Sequence, residues 1–201
     1  MDDEWIDAGS LADFVAGFRR AMEQGETSYV PCGSCTACCS TSHFVHVEAD
    51  ELDTLAHIPE EYLAPAPGGY PPGSVVLGFD GEGRCAMLSE SGCGIWAHRP
   101  RVCRTYDCRV YPTAGLFPDQ PAVAERARGW RFDVEDQESA SAAASAKAAG
   151  RFLTEHFPDA PVAARAAAAV AVSDLFEGVP PEKPAPEAVV GEIRRRFGQA
   201  P

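Results

Sequence analysis

The sequence predicts a mixed α+β protein with a small, irregular, cysteine-rich core of short strands, flanked by an N-terminal helix and a helical, alanine-rich C-terminal region. The cysteines support the first part of this prediction, because all eight lie between Cys32 and Cys108. Glycine and proline interrupt the chain between them, which favours short strands and loops over long elements. Outside this window apolar residues recur at helical spacing and alanine is abundant, and both features favour helices.

An acidic helix is predicted within residues 1–27. Ser10 can cap this helix, and Asp13 stands three residues later, as in a capping arrangement. The apolar residues of the segment fall on one face, as an amphipathic helix requires; they are Leu11, Phe14, Val15, Phe18 and Met22. Gly25 is predicted to end the helix.

Residues 28–115 form the predicted metal-binding core. The sequence favours a strand from Phe44 to Val47, a helix from Asp50 to His57, a loop rich in Pro and Gly, and a strand at 75–77. The segment GFDGEGRC predicts a hairpin turn that delivers Cys85 to the site. The Ser-Glu-Ser-Gly run that follows predicts a second small hairpin.

A helical extension is predicted for residues 116–201. Its elements are, in order, a strand around Trp130 and Phe132, a helix that ends before Pro158, a helix from Pro161 to Gly178, a Pro-rich linker near 179–186, and a last helix to about Phe197. Proline at the start of a helix and glycine after its end are the signals used here.

The cysteine spacing predicts the chemistry. A C-x2-C-x2-C-C block is followed by four further cysteines; the eight are Cys32, Cys35, Cys38, Cys39, Cys85, Cys93, Cys103 and Cys108. The block brings several sulfurs to one side of a tight turn, which is how a chain presents thiolates to a metal. The opening MDDEWIDAGS lacks the basic and apolar regions of a secretory signal, so we expect a cytoplasmic protein. Disulfides are rare in that compartment, and we predict that all eight cysteines are metal ligands rather than disulfides or unpaired thiols.

Two kinds of metal site agree with eight sulfurs. The spacing C-x2-C-x2-C opens the bacterial ferredoxin run, which favours an iron–sulfur cluster completed by a remote cysteine, Cys85 or Cys108. The alternative is zinc, in two four-cysteine sites or in a mixed site that includes His43, His46 or His98. Neighbouring side chains diverge in regular backbone, so Cys38 and its neighbour are not expected to share one tetrahedral zinc. Spacing leaves the choice open, with a slight preference for the iron–sulfur cluster.

Five arginines lie between residues 84 and 112, against only two acidic residues. A metal site made of thiolates carries negative charge, which neighbouring guanidinium groups offset. The same arginines would also suit a pocket for an anionic cofactor or substrate. We therefore assign a cofactor-binding role to four side chains near Cys103, namely Arg99, Arg101, Arg104 and Tyr106.

These motifs together resemble the CxxCxxCC cysteine-cluster family, described as a putative zinc- or iron-chelating domain. The resemblance rests on PCGSCTACC and on RCAMLSESGCGIWAHRPRVCRTYDC, where the family's Arg-Pro pair and all eight cysteines recur. It covers roughly residues 30–112 and implies a metalloprotein. Some longer members resemble flagellin lysine N-methylases. This chain shows no Gly-rich motif in a strand-to-helix setting for S-adenosylmethionine, so that activity is not carried over.

Charge and hydropathy limit the partners. The net charge is −13, and residues 1–83 hold 15 acidic side chains against two arginines. No basic surplus is available to displace counterions from phosphates, so we expect no nucleic-acid binding. The most apolar tract is too short to cross a membrane, which takes about 20 residues. The C-terminal helices offer a surface for a protein partner.

Two roles for the metal stay open: a structural zinc interaction module, or an enzyme that modifies a protein or small molecule.

Overall fold

The computed structural model describes residues 5–24, 26–178 and 184–197. Its strands are β1 (Ile6–Ser10), β2 (Val45–Val47), β3 (Leu63–Pro65), β4 (Val75–Leu77), β5 (Leu88–Ser89), β6 (Gly92–Cys93) and β7 (Trp130–Asp133). Its α-helices are α1 (Leu11–Gln24), α2 (Leu52–Ala56), α3 (Arg101–Thr105), α4 (Val110–Ala114), α5 (Pro121–Gly129), α6 (Gln137–His156), α7 (Val162–Ala171) and α8 (Pro186–Phe197). Short 3₁₀ turns occupy Ala37–Ser40, Glu60–Tyr62, Trp96–His98 and Ser173–Phe176. The predicted helix stop at Gly25 and most of the predicted linker, residues 179–183, lie outside the described residues.

The chain divides into two compact units. Residues 1–30 and 107–201 form one, here called the helical unit, and residues 31–106 form the other, here called the cysteine unit. The architecture is therefore mixed α+β, as predicted. The cysteine unit lies inside the core predicted at 28–115, and Cys108 belongs to the helical unit.

The helical unit is built around α1, whose apolar face is buried. Leu11, Phe14, Val15, Phe18 and Ala21 are the buried residues of α1. Ser10 accepts a hydrogen bond from the Asp13 amide at 3.3 Å, so the predicted cap is present. Helix α1 packs against α6, α7 and α8. The amphipathic pattern of α1 thus serves to bury one face among other helices.

A parallel pair of strands, β1 with β7, completes the helical unit. The pairing places Ile6 opposite Trp130, and the Trp130 side chain is fully buried. The sequence predicted β7 but not β1, because IDAGS is short, polar and Gly-containing and resembles a loop by composition. Helix α5 is a further element that the sequence did not predict.

The cysteine unit contains a three-stranded antiparallel sheet in the order β2-β4-β3. Its small core consists of Val47, Ile58, Leu77 and Ile95, and Cys85 and Cys93 pack against that core. The predicted turn before Cys85 is closed by a hydrogen bond from the Asp80 amide to the Arg84 carbonyl at 2.7 Å. The predicted second hairpin is the β5–β6 pair, in which Leu88 faces Cys93. Within the described residues, no helix has the length and apolar character needed to cross a bilayer.

Candidate metal centre

The C-x2-C-x2-C-C block folds as two successive tight turns. The Cys35 amide donates to the Cys32 carbonyl at 3.0 Å, and the Cys39 amide donates to the Thr36 carbonyl at 2.9 Å. The second turn is a 3₁₀ turn, Ala37–Ser40, and it leaves the sulfurs of Cys38 and Cys39 3.9 Å apart. The two side chains do not diverge as expected from regular backbone. Their separation is close to the roughly 3.8 Å between two sulfurs on one tetrahedral zinc ion, given a Zn–S bond of about 2.3 Å.

The downstream cysteines come from three different local structures. Cys85 ends the Gly-rich turn, and its amide donates to the Cys39 carbonyl at 2.8 Å, which ties the two cysteine blocks together. The backbone N–H of Met87 acts to lower the pKa of the Cys85 thiol. Cys93 ends the β5–β6 hairpin, and Cys103 lies in α3. A loop, a hairpin and a helix thus each supply one sulfur.

Electrostatics join four of these sulfurs into one group. The pKa of Cys103 is raised to about 12, first by burial and then by the negative charges of Cys38, Cys85 and Cys93. Burial also raises the pKa of Cys85, with Cys93 and Cys38 as the next contributing charges. The hydrogen bond to Cys39 is the first cause that raises the pKa of Cys38.

Thiols whose pKa values are raised by one another stay protonated unless a positive charge neutralises the group. A bound cation reverses that balance and takes the thiols as thiolates. The charge of Arg99 acts in the same direction, because it lowers the pKa of Cys103. The Met87 N–H does the same at Cys85. The donor set therefore fits a soft or borderline metal. We call its five members the cysteine cluster: Cys38, Cys39, Cys85, Cys93 and Cys103.

The remaining three cysteines differ in placement. Cys32 and Cys35 lie in the cysteine unit, at the start of the C-x2-C-x2-C-C block. Cys108 lies in the helical unit, where it is buried and its sulfur accepts the indole N–H of Trp130 at 3.1 Å. All eight cysteines lie in described residues, and none forms a disulfide. The assignment of all eight as ligands stays a prediction.

The arginines near the cluster are mostly paired with carboxylates of the segment 48–51. Arg101 forms ion pairs with Glu48 and, at 3.1 Å, with Asp50. Arg104 lies 3.7 Å from Glu51. Arg99 instead donates to the Trp96 carbonyl at 2.7 Å and lies over the Trp96 ring, 4.0 Å from its centroid.

Tyr106 caps the C-terminal end of α3, where its amide donates to the Val102 carbonyl. The role predicted for Tyr106, Arg99, Arg101 and Arg104 in holding a cofactor stays a prediction. Arg101 and Arg104 pair with carboxylates of the segment 48–51, and Tyr106 caps α3. The charge of Arg99 lowers the pKa of the Cys103 thiol.

Glu51 is a structural anchor that sequence reasoning missed. Its side chain is only 3% exposed. One carboxylate oxygen accepts the Arg101 amide at 2.5 Å and the other accepts the Glu48 amide at 3.0 Å. Glu51 thereby fixes the start of the cysteine-bearing helix α3 against the loop before α2. One acid among several in EADELD carries no sequence signal for this role.

The three candidate histidines have different surroundings. His43 is exposed, and His46, on β2, has its ring 4.3 Å from Tyr70 while its Nε2 is buried without a hydrogen-bond partner. His98 accompanies two residues that the sequence did not single out, Asp53 and His57. These three side chains are, within the described residues, the one set of three metal-ligating groups whose ligand atoms all lie within 4.8 Å of one another. No three cysteine sulfurs of the described residues meet this criterion, so a single zinc ion would have to draw its thiolate ligands closer together.

Comparison with known proteins supports the same chemistry. Residues 31–128 match the model of the CxxCxxCC family, described as a putative zinc- or iron-chelating domain. The match covers just under half of the chain, contains all eight cysteines, and confirms the resemblance predicted from the cysteine spacing. No curated protein and no solved structure matches the chain.

Proposed function

We propose that the cysteine unit, which lies within the residues that match the zinc- or iron-chelating CxxCxxCC family model, binds an iron–sulfur cluster. The observation that carries this proposal is that Cys38, Cys85 and Cys93 lie close enough to Cys103 for their charges to raise its pKa. All four are thiols without a disulfide bond, and they come from separate turns, a hairpin and a helix. Zinc is the alternative occupant of the same sulfurs. The cluster would supply electron transfer or polarisation of a bound group, and the thiolates would anchor it.

Sequence and geometry both support the cluster over zinc. The C-x2-C-x2-C spacing of Cys32, Cys35 and Cys38 is that of cluster-binding loops, and Cys38 is the residue of this motif that also belongs to the coupled group. In a cluster the cysteine sulfurs bind different metal atoms, so they stand further apart than around one ion; this agrees with the finding that no three sulfurs of the described residues all lie within 4.8 Å of one another. The N–H donor from Met87 and the charge of Arg99 would offset the negative charge of a four-thiolate cluster.

The location that suits this chemistry is the cytoplasm. Thiolate ligands need a reducing compartment, because oxidation to disulfides would remove them. The eight cysteines without a disulfide support this part of the proposal.

Anaerobic purification with elemental analysis of the same sample tests the proposal. We expect iron, acid-labile sulfide and a broad visible band typical of thiolate-ligated clusters. Zinc without iron would replace the cluster by the zinc alternative, and protein free of both metals would refute metal binding altogether.

Two variants on α3 then locate the site. Cys103→Ser should lose the metal, because the Cys103 sulfur is coupled to three others. Val102→Ala, an exposed change on the same helix, should keep the metal and serves as the matched control. Cys108→Ser asks separately whether the cysteine of the helical unit is a ligand. Equal metal contents in Cys103→Ser and Val102→Ala would contradict the assignment.

A further inference from the structure

A second cluster of metal-ligating side chains lies in the cysteine unit and contains no sulfur. Asp53 and His57 lie at positions i and i+4 along α2 and its C-terminal cap, so both project from one face of the helix. His98 reaches them from the Trp96–His98 turn, and its Nδ1 lies 2.8 Å from an Asp53 carboxylate oxygen. Each of the three side chains offers a ligand atom within 4.8 Å of the other two.

The hydrogen bonding of His57 leaves one ring nitrogen suited to a metal. Its Nδ1 lies 2.7 Å from the Asp53 backbone carbonyl, which can only accept, so Nδ1 carries the proton. The neutral ring then has its lone pair on Nε2. A backbone carbonyl that fixes the tautomer in this way is the usual outer partner of a metal-binding histidine.

The two imidazole rings stack on each other. The centroids of His57 and His98 lie 3.5 Å apart, and their planes differ by only 6°. A metal binds a histidine nitrogen close to the ring plane, so both rings cannot serve one ion while they are face to face at this distance. Binding would therefore turn at least one ring. The side chains have room to turn, because Asp53, His57 and His98 are 70%, 42% and 37% exposed.

We propose that Asp53, His57 and His98 form a second metal site, one that takes a divalent transition metal of the zinc type. Two imidazoles and one carboxylate are ligands that Zn²⁺, Co²⁺ and Ni²⁺ accept, and three protein ligands leave a position for water. The site shares no ligand with the cysteine cluster, so it does not depend on the function proposed above. The guanidinium of Arg104 acts on Asp53, but Glu51 lies against that guanidinium and offsets part of its charge.

Cobalt is the probe that separates the two sites. Co²⁺ is titrated into protein as purified, with its cysteine site loaded, and visible absorption is recorded. Binding at Asp53, His57 and His98 should give weak d–d bands for one added equivalent, without the intense sulfur-to-cobalt charge transfer of a thiolate site. Line broadening of the imidazole proton signals of His57 and His98 in NMR spectra should accompany the bands.

Single-ligand variants complete the test. Loss of an outer partner alone weakens metal sites by about 10–100-fold, so His57→Gln and His98→Gln should weaken cobalt binding by at least about tenfold. His156→Gln, an exposed histidine on α6, should bind as the wild type does. Asp53→Asn gives a third variant if either histidine change disturbs folding.

The metal content of the cysteine site, whether iron with sulfide or zinc, should be unchanged in all four variants, which distinguishes failure of this site from failure of the cysteine site. Cobalt affinities equal in His57→Gln, His98→Gln and wild type would overturn the proposal. So would a cobalt spectrum that shows sulfur ligation only, or no uptake of cobalt by the loaded wild type.

Discussion

Replacement of Glu51 by Gln tests how the cysteine-bearing helix is held. The change keeps the size of the side chain and removes its charge. Each carboxylate oxygen now accepts one backbone amide, from Arg101 or from Glu48. A glutamine has one oxygen, so its NH₂ group must face one of the two amide donors.

The cost follows from these contacts. Hydrogen bonds to a charged acceptor contribute about 1.5–3 kcal/mol each, and a buried donor left without a partner costs about 1–3 kcal/mol. One bond is lost and the other is weakened, since its acceptor is no longer charged. We therefore expect Glu51→Gln to destabilise the cysteine unit by about 2–4 kcal/mol. Because α3 carries Cys103, metal uptake should weaken as well.

Hydrogen exchange of single backbone amides measures this effect where it arises. The Glu48 and Arg101 amides should exchange faster in Glu51→Gln than in wild type by a factor that reflects the lost free energy. The matched control is Glu61→Gln, an exposed change whose effect should stay within about 0.5 kcal/mol. If the two variants show the same exchange and the same urea midpoint, Glu51 does not anchor α3 and the reasoning fails.

Three further changes have definite expected outcomes. Gly150→Ala should lower the melting temperature, because the new Cβ would lie 2.3 Å from the Ala114 carbonyl oxygen, and overpacking of this kind costs about 1–3 kcal/mol. Gly191→Ala is the control: its Cβ would meet no atom within 4 Å, so the melting temperature should rise slightly. Metal-free protein should lose stability as pH rises from 9.0 toward 12, because folded Cys103 keeps its proton over that range while the unfolded thiol loses it. Urea midpoints measured at several pH values test this expectation. An unchanged midpoint would contradict the burial of that thiol. Arg99→Gln should weaken metal binding by about tenfold in a chelator competition, because the guanidinium favours the Cys103 thiolate. Equal metal affinities in the variant and the wild type would mean that Arg99 only packs on the Trp96 ring.

Local patterns predicted the local elements well. The apolar face of α1, its Ser10 cap, the strand at 75–77 and both turns around Cys85 follow from periodicity and turn chemistry within a few residues. The partner of a strand is a different matter. The pairing of β1 with β7 joins Ile6 to Trp130, and no pattern within IDAGS indicates which distant strand it will meet.

The candidate site shows the same division. The type and spacing of the cysteines predicted that their side chains would gather, and the structure couples Cys38, Cys85, Cys93 and Cys103 electrostatically. Asp53 and His57 are common residues at a common helical spacing. They form a possible three-ligand metal site only with His98, which lies 45 residues after Asp53 in the sequence and contacts it in the structure. Glu51 likewise became recognisable only through its two backbone partners. Residues whose role depends on tertiary contacts carry no signal before those contacts are known.

The charge asymmetry of the chain acquires a structural meaning in the cysteine unit. The acidic first half and the arginine-rich stretch after residue 84 looked like separate features of composition. In the structure Glu48 and Asp50 pair with Arg101, while Glu51 lies against Arg104 and holds the first amide of α3. These carboxylates neutralise the charge of Arg101 and Arg104, which could otherwise bind an anion. Arg99, held by Trp96, is left to act on Cys103, so one guanidinium is positioned to offset a metal–thiolate charge while its neighbours fix the helix that presents the sulfur.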